Sequence, residues 1–333
     1  MLAKAADAVP EQTDEPSWLY EPKWDGFRVI VFRDGDEVYL GSRNTKDLAR
    51  YFPELVEAVR AELPSRIVVD GELVVPRAID GRTRLDWEAL SERIHPADSR
   101  VRKLAAETPA QFVAFDLLAL GNDDLTDTPF RVRRDRLEQA IGGGSSCHVT
   151  RTTLDDATAR EWFEQFEGAG LDGVIAKRLG SRYLPDKRDM VKVKHARTAD
   201  CVLIGYRPHK NIAGVGSLLL GLYDGGELRM IGGIGAFPEA RRRALLTELE
   251  PLRVGEDVVA EGEMNRWRSS KDGSFVPLRP ERVIEIAYDQ MEGARLRHAA
   301  KFLRWRPDRD PESCTYDQLD VPVRYDFEDV VRG

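Results

Sequence analysis

Lysine and acidic residues occur in this sequence beside glycines and inside short apolar runs, where their chemistry is constrained. Lys23 lies in EPKWDGFR, after a proline and before Asp-Gly, which predicts a tight loop and a defined direction for the lysine. A lysine amine is a nucleophile only when it is deprotonated, which requires desolvation or a neighbouring cation. On its own the stretch favours the simpler interpretation, a solvent-exposed turn lysine, so the rest of the chain must decide.

Further charged residues lie at the ends of predicted strands. Asp70 and Glu72 flank a glycine between two apolar runs, and Asp172 stands just before the apolar run GVIAK. Lys192 and Lys194 alternate in MVKVK, so their side chains point to the same side of a strand. Two lysines beside carboxylate-bearing strands can hold a polyphosphate and its Mg²⁺, whereas each residue alone is equally explained by a salt-bridged strand end. Together they indicate one reaction, the transfer of a nucleotide to lysine.

The elements that would position these residues form a mixed α/β region. The run TKDLARYFPELVEAVRAEL predicts a helix with Thr45 as its N-cap and an apolar face made of Leu48, Phe52, Leu55, Val59 and Leu63. Two more helices are predicted in LDWEALSERIH and DDATAREWFEQFEGAG. Strands are predicted in RIVVDGELVV, QFVAFDLLAL, GVIAK and DMVKVK.

The sequence changes in character after about residue 197. Six strand-like runs separated by turns follow, among them VVAEGEM, and one helical stretch, PEARRRALLTELEPL, interrupts them. Several short strands with a single helix suit a small barrel, for which the OB-fold is a natural candidate. The segment KHARTAD would serve as a short hinge between the two regions.

Composition limits the classes of protein that the chain can represent. Its 333 residues suit two domains, and its three distant cysteines argue against a disulfide framework or a cysteine zinc site. No signal peptide and no apolar run long enough to cross a bilayer is visible, so we expect a cytoplasmic protein. The net charge of −8 does not favour nucleic-acid binding, but such binding needs only a local basic surface.

The order of the motifs resembles that of a known superfamily. K-x-D-G-x-R, S-R-N, D-G-E, F-D-L-L, D-G-V-I-A-K and V-K-V-K resemble the successive motifs of the lysine-adenylating nucleotidyltransferases, which comprise DNA ligases, RNA ligases and mRNA capping enzymes. The tail R-W-R-P-D-R resembles the last motif of their barrel domain. The match is closest to the small ATP-dependent DNA ligases of bacteria, in particular the actinobacterial C-type ligases.

This resemblance implies both the fold and the reaction. The expected fold class is α+β, with a nucleotidyltransferase (adenylation) domain of antiparallel sheets and helices at 1–197 and a β-barrel OB-fold domain at 198–333. Lys23 would attack the α-phosphate of ATP to form lysyl-AMP, with Mg²⁺, or Mn²⁺ as the alternative, as the metal. The AMP would pass to the 5′-phosphate of a DNA nick, and the 3′-hydroxyl would then displace it and seal the strand.

The resemblance also assigns residues to roles. Glu21 and Phe115 would contact the adenine, Arg28 and Glu72 the ribose and nearby phosphate, and Arg43 the 5′-phosphate of the nick. The implied catalytic residues are Lys23, Lys192, Lys194, Arg304, Arg306 and Asp308. The implied nucleotide-binding residues are Glu21, Lys23, Arg28, Arg43, Glu72, Phe115, Asp172, Lys192 and Lys194, with Glu72 and Asp172 as metal ligands.

Two positions depart from the commonest family pattern. Asp172 replaces the more usual glutamate, so its carboxylate sits on a shorter stem and a water-bridged metal contact is as plausible as a direct one. Arg309 replaces the more usual lysine of the last motif, which keeps the charge and changes the geometry.

Basic residues near the C-terminus supply a local basic surface in a chain whose net charge is −8. Six basic residues and one acid lie between Arg295 and Arg309, and Arg304 and Arg306 share one strand face by alternation. A charged edge strand is the plain alternative. We expect this face to reach the triphosphate during lysine adenylation, and RPHK, Arg241–Arg243 and NRWRSSK are candidate phosphate contacts on duplex DNA. The arginine run equally suits a solvated helix face.

Two other functions remain open from the sequence. An RNA ligase or a GTP-using capping enzyme would share most of the motifs, and a non-catalytic repair scaffold would keep the fold without the chemistry. For the ligase we expect nicked double-stranded DNA as substrate, bound without sequence preference and with strong salt dependence. We further expect a monomer associated with the nucleoid, no membrane contact, and a repair polymerase or an end-binding protein as partner.

Overall fold

The structure is a computed structural model that describes residues 1–43, 46–79, 81–95, 97–195, 197–255, 260–261, 274–319 and 325–332. The predicted N-cap Thr45, the NRWRSSK segment and most of VVAEGEM lie outside these residues. The chain divides into two compact units, Met1–Lys194 with Pro322–Gly333, and His195–Val321.

This division differs from the predicted one at the C-terminus. The prediction places the C-terminal residues in the second domain, whereas they belong to the first unit of the structure. Phe327 and Val330 are fully buried in a core that also contains Trp24 and Phe166. The Phe327 ring meets Trp24 edge-on, with ring centroids 6.0 Å apart. These apolar contacts explain why a segment remote in sequence packs with the first unit.

The first unit contains two main sheets. Its strands are β1 (Leu2–Ala6), β2 (Trp18–Pro22), β3 (Phe27–Asp34), β4 (Glu37–Ser42), β5 (Arg66–Val74), β6 (Pro76–Ile79), β7 (Arg82–Leu85), β8 (Gln111–Leu120), β9 (Asp123–Asp124), β10 (Cys147–Val149), β11 (Val174–Arg178) and β12 (Arg188–Val193). Its helices are α1 (Pro53–Glu62), α2 (Trp87–Glu92), α3 (Asp98–Glu107), α4 (Phe130–Ala140), α5 (Asp156–Gln165) and the C-terminal helix Phe327–Arg332.

Both main sheets are largely antiparallel, as predicted. One has the order β1-β12-β11-β2, in which only β1 and β12 are parallel. The other has the order β10-β8-β5-β3-β4, with β9 beside β8, and only β10 and β8 are parallel. A separate hairpin is formed by β6 and β7. Glu21, Glu72 and Lys192 therefore lie on two sheets of the first unit.

Helix α1 shows how the apolar pattern produces the core. The five residues of the predicted apolar face are all buried. The α-helix is shorter than the pattern predicts, because it begins only at Pro53, which occupies its first turn, and a 3₁₀ turn covers Ala49–Tyr51. Leu55 and Val59 on this helix share a core with Val29 and Val31 of β3, so the sheet buries one face against the helix and leaves the other for the motif residues.

The second unit is an antiparallel sheet with one long helix. Its strands are β13 (Arg197–Pro208), β14 (Val215–Asp224), β15 (Glu227–Ile234), β16 (Ala260–Glu261), β17 (Ser274–Pro277), β18 (Val283–Tyr288), β19 (Met291–Glu292), β20 (Arg295–Leu296) and β21 (Lys301–Trp305), and its helix is α6 (Glu239–Leu249). The C-terminal helix of the first unit is numbered α7. Seven strands form one sheet in which β13 pairs with β14, β17 and β18. The strand pairs of the described residues do not close this sheet into the predicted barrel.

Candidate active site

Two loops of the first unit hold each other in place around Lys23. The N–H of Lys23 donates to the carbonyl of Gly173 over 2.8 Å, and the N–H of Asp172 donates to the carbonyl of Lys23 over 3.0 Å. Gly173 has a φ of +127°, and a Cβ atom there would lie 2.0 Å from the carbonyl oxygen of Val193. Only glycine fits this close approach, so the Asp-Gly pair of the motif is required for the geometry of the lysine loop.

One oxygen atom of the Asp172 carboxylate contacts the ammonium groups of two lysines. Its Oδ2 lies 2.6 Å from the Lys23 ammonium and 2.5 Å from the Lys194 ammonium. Burial alone would raise the pKa of Asp172, but the two lysines outweigh burial and lower it, so the carboxylate stays charged. Burial and the neighbouring ammonium groups of Lys194 and Lys23 also lower the pKa of Lys192. The structure therefore brings these three predicted lysines into one electrostatic cluster.

Glu21 forms a buried ion pair just before the lysine. Its Oε1 lies 2.7 Å from the Nζ of Lys177, and both side chains are less than 5% exposed. Lys177 also donates to the carbonyl of Phe115 over 3.0 Å, and its Nζ lies 4.6 Å from the centre of the Phe115 ring. The Oε2 of Glu21 is buried and has no hydrogen-bond partner among the described residues. A buried oxygen of this kind is suited to a ligand that supplies a donor.

Phe115 owes its position to an irregularity in the second sheet. Asp70 on β5 lies opposite Asp116 on β8, whereas the next residue, Gly71, lies opposite Ala114. Phe115 is therefore the extra residue of a β-bulge, a feature that redirects a side chain relative to its neighbours.

Arg28 and Glu72 lie opposite each other on β3 and β5 of the same sheet. Nε and Nη2 of Arg28 bind Oδ1 and Oδ2 of Asp70 at 3.0 Å and 2.5 Å, and the hydroxyl of Tyr183 donates to Oδ2 over 2.8 Å. The Arg28 guanidinium carbon lies 5.7 Å from the Phe115 ring centre. Burial raises the pKa of Glu72 to about 8, although Lys23 and Arg28 act against this rise.

The two predicted metal ligands, Glu72 and Asp172, differ in how well their surroundings suit a metal ion. No cluster of three or more histidine, cysteine or acidic residues that could hold a metal occurs in the described ranges. Mg²⁺ commonly binds one or two carboxylates together with substrate phosphates, so Glu72 fits as a protein ligand. The Oδ2 of Asp172 is already shared by two lysines, and this residue is better described as their anchor.

The predicted phosphate-binding residues lie in both units. Arg43 is exposed in the turn after β4 and forms no ion pair with the described residues. In the second unit, Arg304 on β21 donates through Nε to Oε2 of Glu285 over 2.5 Å, and Arg306 reaches the same carboxylate at 3.9 Å. The two arginines thus share a neighbour on one side of the strand, as their alternation predicts.

Arg306 is held by two carboxylates. Its Nη1 lies 3.0 Å from Asp200, and its Nη2 lies 2.9 Å from Oδ2 of Asp308. Hydrogen bonds from the guanidinium of Arg306 lower the pKa of Asp308 to about 2. The motif residues therefore form an ordered charged group, with Arg309 further away, 3.7 Å from Asp200.

Sequence reasoning gave no role to several residues that complete the site. Asp70 and Lys177 lie inside recognised motifs, and the alternation of Asp70 with Glu72 could have indicated that they share one face. Tyr183 lies in the loop SRYLPDKR, where no periodic pattern identifies it. The Asp116–Arg133 pair, with Nε to Oδ1 at 2.7 Å, is buried behind Phe115 and also lacks a sequence signal.

Comparisons with known proteins agree with this geometry. A family model described as the ATP dependent DNA ligase domain matches residues 1–194, and one described as the ATP dependent DNA ligase C terminal region matches residues 212–309. The chain therefore belongs to the ATP-dependent DNA ligases. It is similar to the actinobacterial C-type ligases, as the motifs predicted.

Curated relatives match over nearly their full length. DNA ligase C1 of Mycolicibacterium smegmatis is 60% identical over 99% of this chain and 96% of its own. DNA ligase C of Mycobacterium tuberculosis is 56% identical over 100% of this chain and 96% of its own. A solved Lig E DNA ligase shares the fold, with a TM-score of 0.55 at 19% identity over 90% of this chain and 98% of that one. An RNA ligase, a capping enzyme and a non-catalytic scaffold are not favoured by these matches.

Among the described residues, no helix is both long and apolar enough to span a membrane.

Proposed function

We propose that this ATP-dependent DNA ligase seals 5′-phosphate/3′-hydroxyl nicks through an adenylate carried on Lys23. The observation that carries the proposal is the position of the Lys23 amine, which shares one carboxylate oxygen with Lys194 on loops that are hydrogen-bonded to each other. A turn lysine without a function would need neither the buried carboxylate nor the second lysine. The arrangement supports a nucleophile held in one direction beside additional positive charge.

In the first step the Lys23 amine attacks the α-phosphate of ATP. A bond forms between the lysine nitrogen and the α-phosphorus, and the bond from the α-phosphorus to the oxygen that bridges to the β-phosphate breaks to release pyrophosphate. The amine reacts in its neutral form and loses one proton to solvent as the new bond forms. Asp172 orients the amine through its hydrogen bond, and Lys192 and Lys194 lie where they can neutralise charge that builds on the α-phosphate. Because the pKa of Asp172 is lowered, this carboxylate is suited to orienting the amine rather than to removing its proton.

ATP is favoured over GTP by the Oε2 atom of Glu21, which is buried and has no hydrogen-bond partner in the described part of the chain. A carboxylate oxygen accepts a hydrogen bond from an exocyclic amino group such as that of adenine, whereas guanine presents a carbonyl oxygen at the corresponding ring position. Phe115 offers an aromatic face for stacking on the base. Arg28 keeps donors beyond those used by Asp70, so it can also contact the ribose and the neighbouring phosphate.

The later steps use the remaining predicted residues. Arg43 would bind the 5′-phosphate of the nick. Arg304 and Arg306 would contact the triphosphate during lysine adenylation, with Asp308 orienting the Arg306 guanidinium. Bound Mg²⁺, or Mn²⁺ in its place, would neutralise phosphate charge, with Glu72 as its protein ligand. We assign adenylation to residues 1–197 together with the C-terminal helix Phe327–Arg332, and DNA binding to the rest of residues 198–333. Because the proposed substrate is nicked double-stranded DNA, we place the enzyme at the nucleoid of the cytoplasm, as a monomer that serves DNA repair beside a polymerase or an end-binding protein.

The experiment is intact-mass measurement after incubation with Mg²⁺ and ATP, GTP or NAD in parallel. We expect one AMP to be added with ATP alone, and no addition in Lys23→Ala. Lys187→Ala, which removes an exposed lysine outside the site, is the matched control and should become adenylated normally. The starting mass shows whether the protein was purified already adenylated. Adenylation of Lys23→Ala, or addition of GMP, would contradict the proposal.

A further inference from the structure

The β6–β7 hairpin carries a strongly cationic face close to the active-site strand. It follows directly on β5, the strand that bears Glu72. In its register Arg77 lies directly opposite Arg84, and Arg82 precedes Arg84 by two residues on the same face. All three arginines are exposed. We refer to Arg77, Arg82 and Arg84 together as the arginine face.

The other face of the hairpin is attached to the first unit. Leu85 is buried in the core that contains Phe166, and the N–H of Thr83 donates to Oδ2 of Asp326 over 3.2 Å. Because Leu85 packs one face against the core and the hydrogen bond of Thr83 holds the edge of the hairpin, the alternation of the strand directs the arginine face outward to solvent.

Among the described residues, an acidic side chain pairs with only one arginine of the arginine face. Arg77 lies 2.7 Å from Asp86, whose other oxygen caps helix α2 by accepting from the N–H of Ala89. The side chains of Arg82 and Arg84 form no ion pair or hydrogen bond with the described residues. Asp86 offsets the charge of Arg77, so the charge that is left for an anion to balance is that of Arg82 and Arg84.

Protection of a strand edge is the competing explanation. Single charges on edge strands prevent unwanted pairing between sheets. That purpose does not require two arginines at directly opposed positions, nor a third on the same face. Arginine is also the side chain whose planar group matches phosphate oxygens in a bidentate manner.

The distance from the active site limits where the anion lies. Arg77 follows Glu72 by five residues, which span at most about 16 Å of extended chain. One strand of duplex DNA advances about 3.4 Å per nucleotide, so this distance corresponds to about five base pairs. We propose that the arginine face binds the phosphate backbone of the duplex within about five base pairs of the nick, on one side of it. This inference rests on the proposed function, because it takes the Lys23 site as the position of the nick.

The test compares Arg82→Gln/Arg84→Gln with Arg100→Gln/Arg102→Gln, a control that removes two exposed arginines of helix α3. Binding to a nicked duplex with a 3′-deoxy end, which cannot be sealed, is measured as a function of salt. Each phosphate contact contributes about 0.9 to the exponent with which affinity falls as the salt concentration rises. At about 0.1 M salt, the loss of one contact therefore lowers the affinity roughly eightfold. We expect a roughly 60-fold loss for the hairpin variant, with an exponent lower by about two, and little change for the control.

Position is tested with uncharged methylphosphonate linkages in the DNA. Linkages within five nucleotides of the nick, on one side only, should weaken binding by the wild type and should have little further effect on the hairpin variant. Linkages about ten nucleotides away should weaken both proteins equally. Equal losses in the hairpin and α3 variants, or unchanged binding by the hairpin variant, would overturn the inference.

A measurement of lysine adenylation distinguishes a failure of this inference from a failure of the proposed function. The reaction of Lys23 with ATP requires no DNA, so the hairpin variant should form the adduct at the wild-type rate. An adenylated hairpin variant that binds DNA normally refutes only the arginine face. Absence of any adduct on the wild type refutes the proposed function. Thermal unfolding at the wild-type temperature would show that the hairpin remains folded, because neither substituted side chain forms an ion pair or hydrogen bond with the described residues.

Discussion

Lys23 and Lys194 bind the same atom, Oδ2 of Asp172, at 2.6 Å and 2.5 Å. Two ammonium groups on one oxygen repel each other, and the arrangement is favourable only because the carboxylate is charged and largely buried between them. The position of the nucleophile therefore depends on a residue that is 149 positions away in sequence.

Replacement of Asp172 tests this dependence. Asp172→Asn keeps the size of the side chain and removes its charge, so the two lysines would separate and adenylation would slow by roughly 100-fold, a magnitude typical of losing one electrostatic contact at a reacting centre. Asp172→Glu restores the charge on a longer stem and should retain more activity than the asparagine variant. Single-turnover adenylation with ATP measures both rates. Equal rates for wild type and Asp172→Asn would show that the shared carboxylate does not position Lys23.

Gly173→Ala tests the loop rather than the charge. A Cβ atom would lie 2.0 Å from the carbonyl of Val193, and the φ of +127° disfavours any other residue. We expect a destabilisation of about 1–3 kcal/mol from backbone strain, together with loss of adenylation because the hydrogen bond to Lys23 is displaced. Gly180→Ala is the control, since a Cβ atom there meets open space. Chemical denaturation and adenylation rates are measured for both, and a fully active Gly173→Ala would contradict the role of the loop.

The raised pKa of Glu72 predicts a specific dependence of the free energy of unfolding on pH. Its pKa is raised from the ordinary value of 4.5 to about 8 by burial, so between these values the folded state binds a proton that the unfolded state releases. The contribution of Glu72 to the free energy of unfolding therefore falls as pH rises from about 4.5 to about 8 and is constant above that range. Glu72→Gln lacks this proton and should gain stability relative to wild type across the same window.

Denaturation of wild type and Glu72→Gln at several pH values measures the difference between their free energies of unfolding. Glu37→Gln, at an exposed position on β4, controls for the simple loss of an acidic group. Parallel pH curves for wild type and Glu72→Gln would contradict the raised pKa.

The sequence predicts the local parts of the site better than their spatial combination. The apolar periodicity of α1 is a local pattern that is found in the structure. Lys192 and Lys194 belong to one cluster, although β12 ends at Val193 and Lys194 follows it. The β-bulge at Phe115 depends on the register between two strands, which no single strand encodes. Tyr183 reaches Asp70 from a loop without periodicity, so its role emerges only from tertiary packing.

The C-terminal helix and the barrel illustrate the same limit at the level of domains. Phe327 packs beside Trp24 because the first unit leaves an apolar position there, and this long-range contact leaves no mark in the local sequence. Closure of a sheet into a barrel depends on strand tilt and stagger, which a series of short apolar runs does not specify.

The buried pair of Arg133 and Asp116 predicts a large effect on stability. Two parallel hydrogen bonds join the groups at 2.7 Å and 2.9 Å, and neither side chain is exposed. Arg133→Ala leaves a buried carboxylate without its partner and should cost about 3–5 kcal/mol of unfolding free energy. Arg136→Ala breaks an exposed pair with Asp123 and should cost at most about 1 kcal/mol. Chemical denaturation compares the two, and similar small losses would mean that Asp116 finds another partner.

Arg306→Ala separates the first chemical step from the last. Arg306 is proposed to contact the triphosphate, which is present only while Lys23 is being adenylated. The variant should therefore form lysyl-AMP at least 10-fold more slowly, a loss typical of one charge-assisted contact in a transition state, and yet seal a nick that already carries AMP on its 5′-phosphate at nearly the wild-type rate. Arg229→Ala, which breaks an exposed pair with Asp224 on β14, is the control and should leave both steps unchanged. Equal impairment of both steps in Arg306→Ala would indicate that Arg306 supports DNA binding or folding instead, because neither of those roles distinguishes a step that uses the triphosphate from one that does not.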